Sequence, residues 1–235
     1  MRLFKFFTLL TAILPLFSCS ANINGALSAD GSAVMSVSLA LEPRITALVR
    51  NLASAGGQAD AQILNGPAIA KSMTASALGN VSASFKNTSP SAIEGNVKIA
   101  DINRFLARGD TGRFVEFEQG KNGGKCNIYI DIDNGPVILN LLSADVAAYL
   151  NVLMAPLATG EEMTKSEYLA LVSSIFSKAI SDEIASSRVR ASVGFPGQIT
   201  SVKGGAFSGK NAEFDIPLIE ILVLETPVTY EVNWK

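Results

Sequence analysis

The chain has 235 residues, 48% of them hydrophobic and 17% charged, with a mean hydropathy of +0.31. Its 19 Lys and Arg against 21 Asp and Glu leave a net charge of −2, which excludes the concentrated basic surface of a dedicated nucleic-acid binder. With no His there is no imidazole base and no imidazole metal ligand, and the apolar fraction is too high for a disordered chain.

Residues 1–19 read MRLFKFFTLLTAILPLFSC. Arg2 and Lys5 form a short positive region, and Phe6 to Phe17 is an uncharged apolar run of 12 residues. A bilayer-spanning helix needs about 20 apolar residues, so this run reads as the hydrophobic part of a secretory signal. It ends in Leu16-Phe17-Ser18-Cys19, with Leu three positions before the Cys and a small residue just before it. This order resembles the lipobox of bacterial lipoprotein signals. The bulky Phe17 is more similar to the looser lipoboxes of spirochaetes than to those of enteric bacteria. The resemblance implies that residues 1–18 are a signal peptide that is removed and that Cys19 becomes the lipidated N-terminus, bearing acyl chains such as palmitate. The alternative is a plain cleaved signal with an incidental Cys. Each buried methylene contributes ~0.8 kcal/mol, so two or three chains suffice to hold a protein on a membrane. Without Arg2 and Lys5 the body is mildly acidic, and anchoring rests on hydrocarbon rather than on anionic headgroups.

After Cys19, Ser20 to Asn22 reads as a short tether, and the globular domain as residues 23–235. Met35, Val37, Leu39 and Leu41 alternate with small residues, a half-buried strand whose partner is Asn22 to Leu27 across the turn-rich Ser28 to Ser32. Ile45, Leu48, Val49 and Leu52 fall on one face of a helix over Arg44 to Ala53. Asn65-Gly66-Pro67 opens a second helix, over Pro67 to Leu78. Strands follow at Val81–Lys86 and Ile93–Ile99, then a short helix capped by Asp101, then strands at Arg113–Glu118 and Cys126–Ile132. Ser143 caps a helix with Val146, Tyr149, Leu150, Leu153 and Met154 inward. Thr164 and Glu167 form a T-x-x-E capping box, and an apolar face runs from Leu169 through Ile175 and Phe176 to Ile180. The chain closes with strands at Val189–Phe195, Ile199–Val202, Ala212–Ile216 and Val228–Trp234. Leu218–Leu224 reads either as one helical turn or as a bridging segment. The order of strands and helices predicts one α+β domain, an antiparallel sheet with helices packed on one face.

Chemical motifs fail on their spacing. In Gly66 to Ser72, Lys71 falls one place early for a phosphate loop and the second Gly is absent; Gly120 to Lys125 lacks the hydroxyl that would hold Mg²⁺. Asp131-Ile132-Asp133-Asn134-Gly135 begins like a calcium loop, but Pro136 takes the sixth position and Leu142 the twelfth. There is no G-x-S-x-G elbow and no S-x-x-K pair. Glu161-Glu162 precedes a helix start, where acids favour the helix dipole. Cys126 lies in an alternating strand and reads as a buried thiol, with a reactive thiol as the alternative. No catalytic residue, metal site or cofactor is expected.

The remaining signal is apolar. Phe195-Pro196-Gly197, Ala206-Phe207 and Pro217-Leu218-Ile219 place large side chains in turns, so Phe195, Phe207, Leu218 and Ile219 form a candidate apolar rim. This tail, from Phe195-Pro196-Gly197-Gln198-Ile199 through Gly204-Gly205 and Gly209 to Asp215 and closing on Tyr230–Trp234, resembles the C-terminal part of LppM-like envelope lipoproteins. That resemblance implies a membrane-anchored domain with an apolar groove suited to lipid; the long helical stretch from Pro136 to Ser187 departs from it. The sequence thus predicts a non-enzymatic, lipid-anchored protein of the cell envelope, at the periplasmic face or the surface, binding a hydrophobic ligand or another envelope component. The alternative is a structural or adhesive surface lipoprotein making protein contacts only. An enzyme would need Asp131, Asp133 and Glu161 or Glu162 gathered in a buried pocket.

Overall fold

A computed structural model describes residues 20–55, 63–76, 79–106, 114–135 and 150–235. The expected signal peptide, Cys19 and the start of the helix expected after Ser143 lie outside them.

Eleven strands and seven helices alternate along the described chain. The strands are β1 (Ser20–Leu27), β2 (Ala33–Ala40), β3 (Val81–Ser89), β4 (Ala92–Ile99), β5 (Val115–Gly120), β6 (Gly123–Ile130), β7 (Arg188–Gly194), β8 (Ile199–Lys203), β9 (Ala206–Ser208), β10 (Asn211–Pro217) and β11 (Val228–Trp234). The helices are α1 (Pro43–Ala55), α2 (Gly66–Ser76), α3 (Ile102–Leu106), α4 (Pro156–Thr159), α5 (Lys165–Ile175), α6 (Lys178–Ser186) and α7 (Leu218–Val223). The α+β class stands, with its strands divided between two sheets: a seven-stranded one in the order β3-β4-β2-β1-β7-β10-β9, and a four-stranded one in the order β5-β6-β11-β8.

Pairing in both sheets is antiparallel except between β1 and β7, which run parallel from Ser20↔Arg188 to Ala26↔Gly194. Parallel neighbours need a long crossover, and everything from β2 to α6 supplies it. Ser20 to Asn22 are therefore no tether. Ser20 already pairs with Ala40 on one side and Arg188 on the other.

Alternation decides which face is buried. On β2, Ala33, Met35, Val37 and Leu39 turn inward while Val34, Ser36 and Ser38 are exposed. The outward rows of the large sheet are polar. Lys86 pairs with Glu94 at 2.8 Å, Ser36 donates to Asn96 at 2.8 Å, and Arg190 lies 3.6 Å from Asp215. Exposed pairs of this kind contribute at most about 1 kcal/mol each, so they mark the wet face rather than hold it. The inward rows meet the small sheet toward one end and helices α1, α6 and α7 toward the other.

Two hydrophobic clusters result. One lies between the sheets and includes Phe85, Val97, Phe117, Phe195, Phe214, Tyr230 and Trp234. The other lies among the helices and includes Ile45, Val49, Tyr168, Val172, Ile184 and Leu222. Each such side chain contributes ~1.5–3 kcal/mol on burial.

The expected capping box forms: Glu167 N–H donates to Thr164 Oγ1 at 3.2 Å, and Thr164 N–H donates to Glu167 at 2.9 Å. The apolar face expected to run on from Leu169 to Ile180 is instead cut into α5 and α6. Ser177 caps α6 by accepting from Ile180 N–H, and Ile175 is left half exposed. Met154 is exposed with φ 51°, because the chain turns left-handed there before Ala155 and Pro156 enter the core. The strand expected to reach Ile132 ends at Ile130. Asp131 Oδ1 accepts from the backbones of Asp133 and Asn134, turning the chain, so the two acids share no strand face.

Candidate functional site

The two sheets do not close completely on each other. Between them lies a chamber of about 250 Å³ with almost wholly apolar walls. The large sheet contributes Ile23 and Leu27 from β1, Met35 from β2, Val189, Ala191 and Val193 from β7, and Phe214 and Ile216 from β10. The small sheet contributes Val115, Cys126, Ile128, Tyr230 and Val232, while Ile102 and Phe195 complete the lining. These are the inward positions of alternating strands, and Ala191 in their midst leaves room where a larger side chain would fill it.

No charged residue lines this space. Burial pushes the Cys126 thiol up to about 11, so the group facing the chamber is a neutral S–H and a poor nucleophile. Burial is also the first cause that raises the Tyr230 hydroxyl, ahead of the charges on Glu220 and Asp215. The Tyr230 ring meets Phe214 edge-on at 5.1 Å and 75°, tying one sheet to the other beside the chamber. An apolar cavity of ~150 Å³ already stays dry and takes up a small hydrocarbon, so a space of this character suits hydrocarbon rather than water.

A second chamber, of about 210 Å³, lies between the large sheet and the helices. Ala21, Leu39 and Val189 line it from the sheet, Ile45 and Val49 from α1, Ile184 from α6, and Leu218 and Leu222 from α7. Val189 borders both chambers. The one charged residue on this wall is Arg188, whose guanidinium donates to the carbonyls of Ala185 and Ser187 at 3.0 and 2.9 Å.

The four candidate rim residues do not form one rim. Phe195 is buried and lines the first chamber. Leu218 lines the second. Ile219, the next residue on α7, is buried in the helical cluster and does not line that chamber. Phe207 is 46% exposed on the short edge strand β9 and lines neither space. Successive residues on a helix diverge by about 100°, and turn composition cannot say which sheet covers a loop. The residues that do build the walls, such as Ile23, Ala191 and Tyr230, carry the inward phase of strand alternation. That phase was legible strand by strand, but not which strands would face each other.

The acids singled out in the sequence are partly gathered. Asp131 and Glu162 border a cleft of about 450 Å³ together with Glu167 and Glu225, while Asp133 and Glu161 stand exposed outside it. The oxygens of Asp131, Glu167 and Glu225 serve the backbone. Asp131 holds its turn and Glu167 its cap, whose hydroxyl and amide keep the Glu167 carboxyl below the usual range. Glu225 accepts from Lys165 N–H at 2.9 Å. Among the described residues no three His, Cys, Asp or Glu side chains are placed to hold a metal ion, and no helix is long and apolar enough to cross a membrane.

The architecture is that of an α+β domain with apolar chambers between its layers, and comparison with known proteins adds one likeness. No protein-family model and no curated protein matches the chain. Among solved structures, the NMR structure of the folded domain of LppM from Mycobacterium tuberculosis is similar, at a TM-score of 0.40 and 10% sequence identity, over 95% of this chain and 94% of that one.

Proposed function

We propose that this protein is a non-enzymatic lipoprotein of the cell envelope, held on a membrane by acyl chains at Cys19, whose domain binds a hydrophobic ligand between its sheets. The observation that carries the ligand reading is the first chamber: about 250 Å³ bordered by inward strand positions with no charge among them. Apolar walls left without packing partners forgo dispersion contacts, which costs stability. A hydrocarbon occupant removes that cost. The lipobox order Leu16-Phe17-Ser18-Cys19 supports the anchor. The non-enzymatic reading is supported by Asp131, Glu167 and Glu225 of the cleft, whose oxygens are engaged in turns and caps.

The test is native mass spectrometry of the domain from Ser20 onward, made without detergent and then mixed with a panel of lipids. A bound lipid mass, retained through purification or acquired from the panel, is expected. A bare protein mass under every condition would overturn the ligand reading. Mass analysis of the processed native protein tests the anchor separately, since acylation adds fatty-acid mass at Cys19 and an uncleaved leader adds residues 1–18.

A further inference from the structure

The second chamber lies beside the place where the anchor joins the domain. β1 starts at Ser20, and Ala21, the next residue, is part of the chamber wall. Two residues span at most about 7 Å of backbone, so position 19 is within that reach of the wall. The wall includes Leu39, Leu41, Leu218 and Leu222, with Arg188 its one charged residue, its guanidinium engaged by the carbonyls of Ala185 and Ser187. A lipoprotein with a long tether could hold its acyl chains far from its body. Here Ser20 is fixed in the middle of a seven-stranded sheet, between Ala40 and Arg188, and no such slack separates Cys19 from the domain.

We propose that the second chamber takes in one acyl chain of Cys19 when the protein is away from a bilayer, so that the domain shelters part of its own anchor. This rests on the reading that Cys19 is acylated. Val189 borders both spaces, so the two chambers are neighbours along β7. In a membrane the same chain gains nothing by folding back, because lipid tails are as apolar as the chamber wall. The shelter acts in water, where each exposed methylene is unfavourable.

The experiment compares the processed, acylated protein in detergent-free buffer with a form lacking residues 1–18 and carrying Cys19→Ser, which retains every described element. A polyene long-chain fatty acid that fluoresces in apolar surroundings is the probe. The unacylated form should bind one more equivalent of it than the acylated form, whose second chamber is filled by a chain tethered next to it at high effective concentration. Hydrogen exchange gives a second readout. Amides of Ile45–Val49 and Leu218–Leu222 should be more protected in the acylated form, and the difference should vanish once that form is inserted into phosphatidylcholine vesicles. Equal probe uptake with equal exchange would overturn the shelter while leaving the ligand reading intact. If neither form takes up the probe, shelter and ligand reading fall together; if the processed protein carries no fatty-acid mass, shelter and anchor fall together.

Discussion

Phe195 packs against Trp234 with ring centroids 5.1 Å apart and planes inclined by 41°, which places the chain's single tryptophan one ring away from the first chamber. Trp234 is 3% exposed, its indole N–H donates to Gln119 at 3.1 Å, and Phe117 stacks on it at 5.7 Å. Its emission therefore reports on the sheet interface without labelling.

Ligand entry should shift that emission or change its intensity through Phe195. Phe195→Ala should remove most of the response and cost about 3–5 kcal/mol of stability, since it deletes a buried ring from the joint of two sheets. Titration of lipid against fluorescence, together with urea unfolding, checks both parts. A full response in the variant would show that Phe195 does not couple the chamber to Trp234.

Ala191→Leu should fill part of the chamber from the middle of β7. Lipid uptake should drop, while urea unfolding shows a change in stability of less than about 1.5 kcal/mol, the added contacts offsetting the strain of a larger side chain. Undiminished uptake would place the ligand elsewhere.

Cys126 makes stability depend on alkaline pH. Its folded pKa is raised from 9.0 to about 11 by burial, so the folded state keeps a proton that the unfolded chain gives up earlier. The contribution is fully present below pH 9 and is lost as pH rises toward 11, roughly 2–3 kcal/mol in all for a shift of this size. Cys126→Ala should flatten the unfolding midpoint between pH 9 and 11. Persistence of the same slope in the variant would assign it to other groups, of which Tyr168 and Tyr230 are also raised by burial.

Glu183 on α6 caps the N-terminus of α1 from 138 positions away: its carboxylate accepts from Ile45 N–H at 3.1 Å and from Arg44 N–H at 3.2 Å, with the Arg44 side chain 3.4 Å distant. Glu183→Ala should cost about 1–2 kcal/mol by leaving those donors and the positive end of the helix unmatched. Glu183→Gln should recover part of that loss, because the amide oxygen still accepts. Equilibrium unfolding of the two variants checks the order.

Much of this molecule was written locally. The Thr164–Glu167 box, the inward phase of Met35, Val37 and Leu39, and the closing alternation of Val228 to Trp234 each depend on neighbours within a few residues, and each formed as the pattern dictates. Breaks in expectation came where a distant or competing contact intervened. Ser177 restarted a helix that periodicity alone would continue, and Asp131 bent a strand by binding the backbone of Asp133 and Asn134.

The sequence by itself determined the alternation and amphipathic faces that make an α+β fold, together with the Leu-Phe-Ser-Cys order ahead of Ser20. Only the tertiary structure decided that β1 runs parallel to β7, that Phe195 and Leu218 border two different chambers, and that Ala21 stands beside one of them. The physical reason is range. Side-chain phase is fixed by backbone geometry over two to four residues, whereas a cavity exists only where elements far apart in the chain meet and their summed side-chain volumes fall short of filling the space between them.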